Sequence, residues 1–396
     1  MKILFMNTEY NGVAYWRMFE PARWLNMSFK DVSVTYFPND DLIGHAKPVE
    51  EWELMAKTHD LIVTARVADE QALTTLLVMR EIAQKPIIME MDDDWSSVSP
   101  KNVAYKDWQP GSQAYRLAEE QTRLADIFQL STHPLKKAMG YKYPKPTWIS
   151  PNLVDVRKFE IAKLEFEKEK KERSEIRVGW AGGANHYGDF LEVLPALKEI
   201  QDKYKNVRLV FCGMRADYFT EQKSGWVSSP EGGKNITYMK KSPLDLSRVE
   251  VHDGVNFWKW PSKLASLDLD IVIVPLEDIK FNYAKSNARY LEFSALGVPG
   301  VYADVYPYQR TITHGKNGFL ASRRSDWVEH ISNLIEREDL RREIAEKAHG
   351  HVLDCYSFQN NIGIWKKNYE EILNHVSTSR FESYYKDESC QIPLAG

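Results

Sequence analysis

Residues 281–300, F-N-Y-A-K-S-N-A-R-Y-L-E-F-S-A-L-G-V-P-G, constrain the fold of this chain more than any other stretch. They follow a short apolar run, Ile271–Val274, that ends at Pro275. Within them Tyr290, Leu291, Phe293 and Leu296 are spaced to share one buried helical face. Gly297 and Pro299 then close the helix before a further apolar strand at 298–302. Strand, loop, helix, strand is the repeating unit of a parallel α/β sheet.

The polar residues of the stretch fall where such a unit holds a ligand. Lys285, Ser286 and Asn287 lie at the loop-to-helix junction, where free backbone N–H groups and the helix dipole favour an anion such as phosphate. Glu292 follows further along the helix, and a carboxylate there can accept from two vicinal hydroxyls, as a ribose presents them.

This block resembles the nucleotide-sugar-binding segment of glycosyltransferases of the GT-B fold, in particular the retaining enzymes of glycosyltransferase family four. Their segment reads E-x7-E, then a small residue, G-x-P and a strand. Glu292 matches the second glutamate, which in the family holds the donor ribose. The place of the first is taken by Ala284, and the chain is similar to a subgroup that carries A-K-S there. The resemblance implies an α/β architecture of two Rossmann-like doubly wound domains facing across a cleft, with a C-terminal helix crossing back to the first. The expected division is an acceptor domain at 1–162, a charged linker at 163–175, a nucleotide-sugar domain at 176–355, the crossing helix at 356–376 and a tail at 377–396.

A chain of 396 residues is long enough for two such domains. It is 43% hydrophobic and 27% charged, ordinary values for a globular protein, and no apolar run reaches the length of a membrane span. The start does not read as a signal peptide, and the three widely spaced cysteines, Cys212, Cys355 and Cys390, form neither a metal cluster nor a disulfide framework. A cytoplasmic location is the expectation. The net charge of −4 argues weakly against a protein that coats nucleic acid.

The chain opens with a buried strand, Lys2–Met6, then a loop with Gly12 and a helix over about 14–25. Gly12 is expected to face the donor diphosphate, and Arg17 to be an exposed helix residue or a contact on the acceptor side. Strands at 32–37, 61–64 and Ile87–Met91 follow, with a helix at 69–83. The last of these strands runs into Asp92, Asp93, Asp94 and Trp95. Three adjacent carboxylates repel unless a cation or a hydrogen-bond donor separates them. They read either as a metal-binding D-x-D or as a polar cleft wall that takes hydroxyls from a sugar or acceptor. The second reading is preferred, because the first belongs to a single-domain architecture. Asp92 falls where the family often has a histidine near the donor sugar; Asp93 and Asp94 are assigned to the acceptor side, with helix capping as the alternative.

After a strand at 125–130 and the segment I-S-P-N-L-V-D comes the dense charge of 163–175, then a strand at 176–180 and the loop A-G-G-A-N-H-Y-G-D. Gly182 and Gly183 permit close approach of a ligand to the backbone. The family's arginine–lysine pair is absent from this loop, so Lys285 is expected to neutralise the diphosphate, with His186 and Arg215 behind it. Trp258 and Trp260 precede the central strand, each expected to be packed, with stacking on a base as the alternative. Helices at 326–335, 340–349 and 358–375 complete the chain.

The expected activity is transfer of a sugar from a nucleotide-diphosphate donor, a UDP-sugar, to a hydroxyl on a glycan or small molecule. Lys285 and Asp92 are the expected catalytic residues; retention is what the resemblance implies, and no metal or other cofactor is expected, because Lys285 and the helix-start N–H groups can stabilise the leaving diphosphate. One alternative is a glycosyltransferase acting on a hydroxylated base in phage DNA, with Arg66, Lys101, Lys106, Lys136, Lys137, Lys142 and Lys145 as a phosphate-contacting rim. The other is a glycosyltransferase-like binding subunit without catalysis.

Overall fold

The computed structural model describes residues 1–6, 11–37, 49–66, 70–83, 85–100, 102, 104–183, 186–214, 225–226, 236–237 and 243–378. Two six-stranded parallel sheets organise it. The first runs β2-β1-β3-β4-β5-β6, with β1 Lys2–Met6, β2 Ser33–Phe37, β3 Leu61–Ala65, β4 Ile87–Met91, β5 Ile127–Leu130 and β6 Thr147–Ile149. The second runs β11-β8-β7-β12-β13-β14, with β7 Ile176–Ala181, β8 Val207–Cys212, β11 Val249–His252, β12 Ile271–Val274, β13 Gly300–Ala303 and β14 Phe319–Ala321. A separate antiparallel pair joins β9 Gly225–Trp226 to β10 Ile236–Thr237.

Both sheets are buried on two faces, which is why their strands read as continuous apolar runs. Ile3, Phe5, Leu61 and Val63 face the helix Glu20–Ser28 and the C-terminal helix Phe358–Thr378, while Leu4, Met6 and Ile62 pack on the other side with Leu73, Leu76 and Met79. The C-terminal helix thus crosses back to the first domain, placing Ile362, Trp365, Tyr369 and Ile372 in its core. This is the GT-B architecture.

Several elements depart from the sequence reading for local reasons. The first helix is not uniform: Gly12–Ala14 passes into a five-residue π-helical turn, Tyr15–Phe19, before Glu20–Ser28 continues as α-helix. β6 is short and half-buried at the sheet edge, and three residues without an apolar run give little period to detect. The charged run is no free linker. Its first part ends the helix Val156–Glu167, whose Val156, Phe159 and Ala162 pack in the second domain's core. Its second part is tied to that domain as well: Arg173 pairs with Asp268 and Asp270, and Glu175 with Arg208. The chain changes domain instead near Val154 and returns at Ser357, and these residues form a parallel bridge.

Candidate active site

Strand order fixes where a ligand can lie. In the second sheet the order reverses between β7 and β12, and in the first between β1 and β3, so each sheet opens a crevice at the carboxyl ends of those strands. The two crevices face each other across a cleft of about 790 Å³. Gly12, Asp92 and Asp93 line it from the first domain, and Gly182, Gly183, His186, Lys285, Ser286 and Glu292 from the second. Arg215 lies outside the described residues. A second groove, of about 870 Å³ between Lys163, Arg341 and His349, contains none of the expected site residues.

The A-K-S segment is the seam between the domains. The Ala284 carbonyl accepts from Thr132 Oγ1 at 2.8 Å, and its side chain is buried among Met91, Trp95 and Leu135 of the first domain. Lys285 Nζ lies 3.6 Å from Asp93 Oδ1 and 4.6 Å from the centre of the Phe281 ring. Ser286 Oγ accepts from Asn152 Nδ2 at 2.8 Å. The Ala284 side chain, at the first glutamate's position, faces a neighbouring apolar cluster and offers no polar contact to a sugar.

Behind the seam, the helix Ala288–Ala295 presents Arg289 and Glu292 to the cleft. Glu292 is 1% exposed; its Oε1 accepts from Trp260 Nε1 at 3.0 Å and its Oε2 from Arg289 Nη1 at 2.5 Å. Opposite them Gly182 directly follows β7, and a Cβ there would lie 2.6 Å from the Trp180 ring and 3.0 Å from Arg289 Nη2. The Trp180 ring leaves no room for a side chain at this position. His186 Nδ1 donates to Asp189 Oδ2 (2.8 Å); burial pulls its imidazole below the usual value, against the opposing pull of Asp189.

On the first-domain side burial, with help from neighbouring Asp93, pushes the Asp92 carboxyl above the ordinary aspartate range. Asn152 Nδ2 faces its two oxygens at 3.3 and 3.5 Å. Three expectations are corrected here. Asp94 is not an acceptor contact: it is 1% exposed and caps the 3-10 turn Trp95–Ser97, accepting from Ser96 N, Ser96 Oγ and Ser97 Oγ. Arg17 is neither exposed nor an acceptor contact. It is 1% exposed, its Nε donates to Glu90 Oε1 at 2.5 Å, and its Nη1 donates to Ser150 O and Asn152 Oδ1. Asn287 turns away from the donor side, its Nδ2 donating to Thr311 Oγ1 at 3.0 Å.

The two tryptophans differ from each other. Trp260 packs against the second domain's core, as expected, and also donates to the site carboxylate. Trp258 is not packed away: it is 49% exposed, edge-on to Phe19 (4.4 Å) and Tyr15 (5.3 Å). Sequence reasoning also missed Arg289 and Asn152. Arg289 stands four residues after Lys285 and three before Glu292, a one-face helical spacing that could have marked it. Asn152 has no such local signal, since its partners are distant in sequence.

Residues 162–351 match the family model for glycosyl transferases group 1. The fold is similar to that of HepE from Anabaena, solved with UDP, with a TM-score of 0.61 at 17% identity over 94% of this chain and 100% of that one. Its UDP-glucose complex gives 0.62 at 16%, again over 94% and 100%. Sucrose-phosphate synthase from Thermosynechococcus elongatus superposes with a TM-score of 0.60 at 13% identity, over 95% of this chain and 100% of that one. No curated protein sequence matches the chain. Residues 162–351 thus match a glycosyltransferase domain model, and the whole chain has the GT-B fold. Among the described residues no helix is long and apolar enough to cross a membrane.

Proposed function

We propose that the chain moves a sugar from a nucleoside-diphosphate donor, a UDP-sugar, to a hydroxyl of a glycan or small-molecule acceptor, with retention of configuration and without a metal. The observation that carries this reading is the placement of Lys285, Arg289 and Glu292 on one edge of the cleft, opposite Gly182. Two cations and the helix-start N–H groups of residues 288 and 289 match the charge of a diphosphate, and Glu292 matches a ribose edge. The HepE complexes with UDP and UDP-glucose support the choice of donor.

Chemically, the glycosidic C–O bond breaks as negative charge grows on the departing diphosphate. A fixed ammonium and guanidinium beside that oxygen stabilise the transition state more than the ground state. Asp92 on the facing wall takes a hydroxyl of the sugar or acceptor, its carboxylate held by Asn152. Of the expected DNA-contacting rim, Lys136, Lys142 and Lys145 are bound to Thr147 O, Ser96 Oγ and Ala125 O, and Lys101 lies outside the described residues. That arrangement favours a saccharide-sized acceptor over a duplex.

The test is hydrolysis of UDP-glucose and other UDP-sugars without acceptor, before and after exhaustive chelation, with the anomer of the released sugar followed by NMR. Slow turnover that survives EDTA and first releases the α-anomer is expected. Loss of turnover restored by manganese or magnesium would refute metal independence, and first release of the β-anomer would refute retention.

A further inference from the structure

Asn152 stands between β6 and the crossing at Val154 and is 2% exposed. Its Oδ1 accepts from Arg17 Nη1 at 2.6 Å. A guanidinium can only donate, so the oxygen is fixed on that side and the amide NH2 must face the other way. There it donates to Ser286 Oγ at 2.8 Å and faces the Asp92 oxygens at 3.3 and 3.5 Å. Arg17 is itself held, by Glu90 at 2.5 Å, by Ser150 O at 2.7 Å and by the Trp365 ring 4.7 Å away. One buried side chain therefore joins a cation in the first domain's core, a carboxylate on the cleft wall and a hydroxyl of the second domain.

We infer that Asn152 is a positioning residue: through its amide nitrogen it aims the Asp92 carboxylate into the cleft and fixes Ser286, and with it the adjoining Lys285, in the closed arrangement. The catalytic half of this inference rests on the glycosyl-transfer reading above. Asn152→Asp separates it from a purely structural role. Aspartate has the same shape and keeps an oxygen for Arg17, where it gains an ion pair, but it presents an acceptor where Asp92 needs a donor, and the Ser286 hydroxyl must reverse its bond and donate instead. A structural plug would tolerate aspartate better than alanine.

With UDP-glucose as the probe, Asn152→Asp is expected to lower kcat about tenfold or more while KM changes less. The acidic limb of its kcat–pH profile should move to higher pH, because a second fixed negative charge beside Asp92 delays ionisation of that carboxyl. Asn152→Ala should lower kcat without moving the limb upward. Independently of turnover, the melting-temperature losses of Asn152→Ala and Ser286→Ala should fail to add in the double variant. Wild-type turnover by Asn152→Asp with an unshifted profile, or additive melting losses, would overturn the inference. A wild-type protein that neither binds UDP nor hydrolyses UDP-glucose would instead defeat the glycosyl-transfer reading, and the melting-temperature cycle then decides the bridge alone.

Discussion

Lys285 Nζ sits 3.6 Å from Asp93, so the ammonium assigned to the diphosphate already has an anionic neighbour. Donor phosphate must compete with it. Asp93→Asn should therefore tighten UDP binding, by up to about 1 kcal/mol for a partly exposed pair, as calorimetry would read it. Lys285→Ala should lower kcat about 100-fold or more and donor affinity less, since charge on the leaving oxygen grows only in the transition state. Glu292→Gln should weaken UDP-sugar binding by roughly 1–3 kcal/mol, through a poorer hydroxyl acceptor and a lost partner for Arg289. Unchanged affinity would remove Glu292 from the site. Lys285 and Glu292 are legible in the sequence because a local pattern, loop then helix, places them. Arg17 is not: a helix arginine reads as solvated, and its partner Glu90 lies 73 residues away.

At the scale of elements, the floor of the donor crevice is two strand ends in contact. Gly213, after β8, has φ +80°, and a Cβ there would lie 1.9 Å from Gly182 O. The positive φ and the backbone clash act together, so Gly213→Ala should cost about 2–4 kcal/mol and lower the melting temperature in a thermal scan. The sequence makes the alternation of strands and helices legible because buried parallel strands are apolar throughout. It does not reveal the π-helical turn Tyr15–Phe19, whose residues carry an ordinary helical pattern, nor the short edge strand β6. Nor does it separate Asp93 from Asp94, since one faces Lys285 and the other caps a turn one residue later.

For the whole molecule, burial lowers the imidazoles of His186, His330 and His351, so each favours its neutral form in the folded state. The unfolded chain then binds more protons below the ordinary histidine value of about 6.5, and their contribution is lost as pH falls through it. Glu90, pushed up to about 8 by burial against the pull of Arg17, acts in the opposite sense, so total stability does not isolate the histidines. A difference does: wild type should lose stability relative to His330→Asn between pH 7 and 5, as paired urea titrations at each pH would read it. A constant difference would contradict the burial argument. The crossing itself has a mechanical consequence. Val154 N bonds Tyr356 O at 2.9 Å and Phe358 N bonds Val154 O at 3.0 Å, so the outgoing and returning chains run as one laced pair. A slide or twist of one domain against the other would have to break these bonds, whereas a swing about them need not.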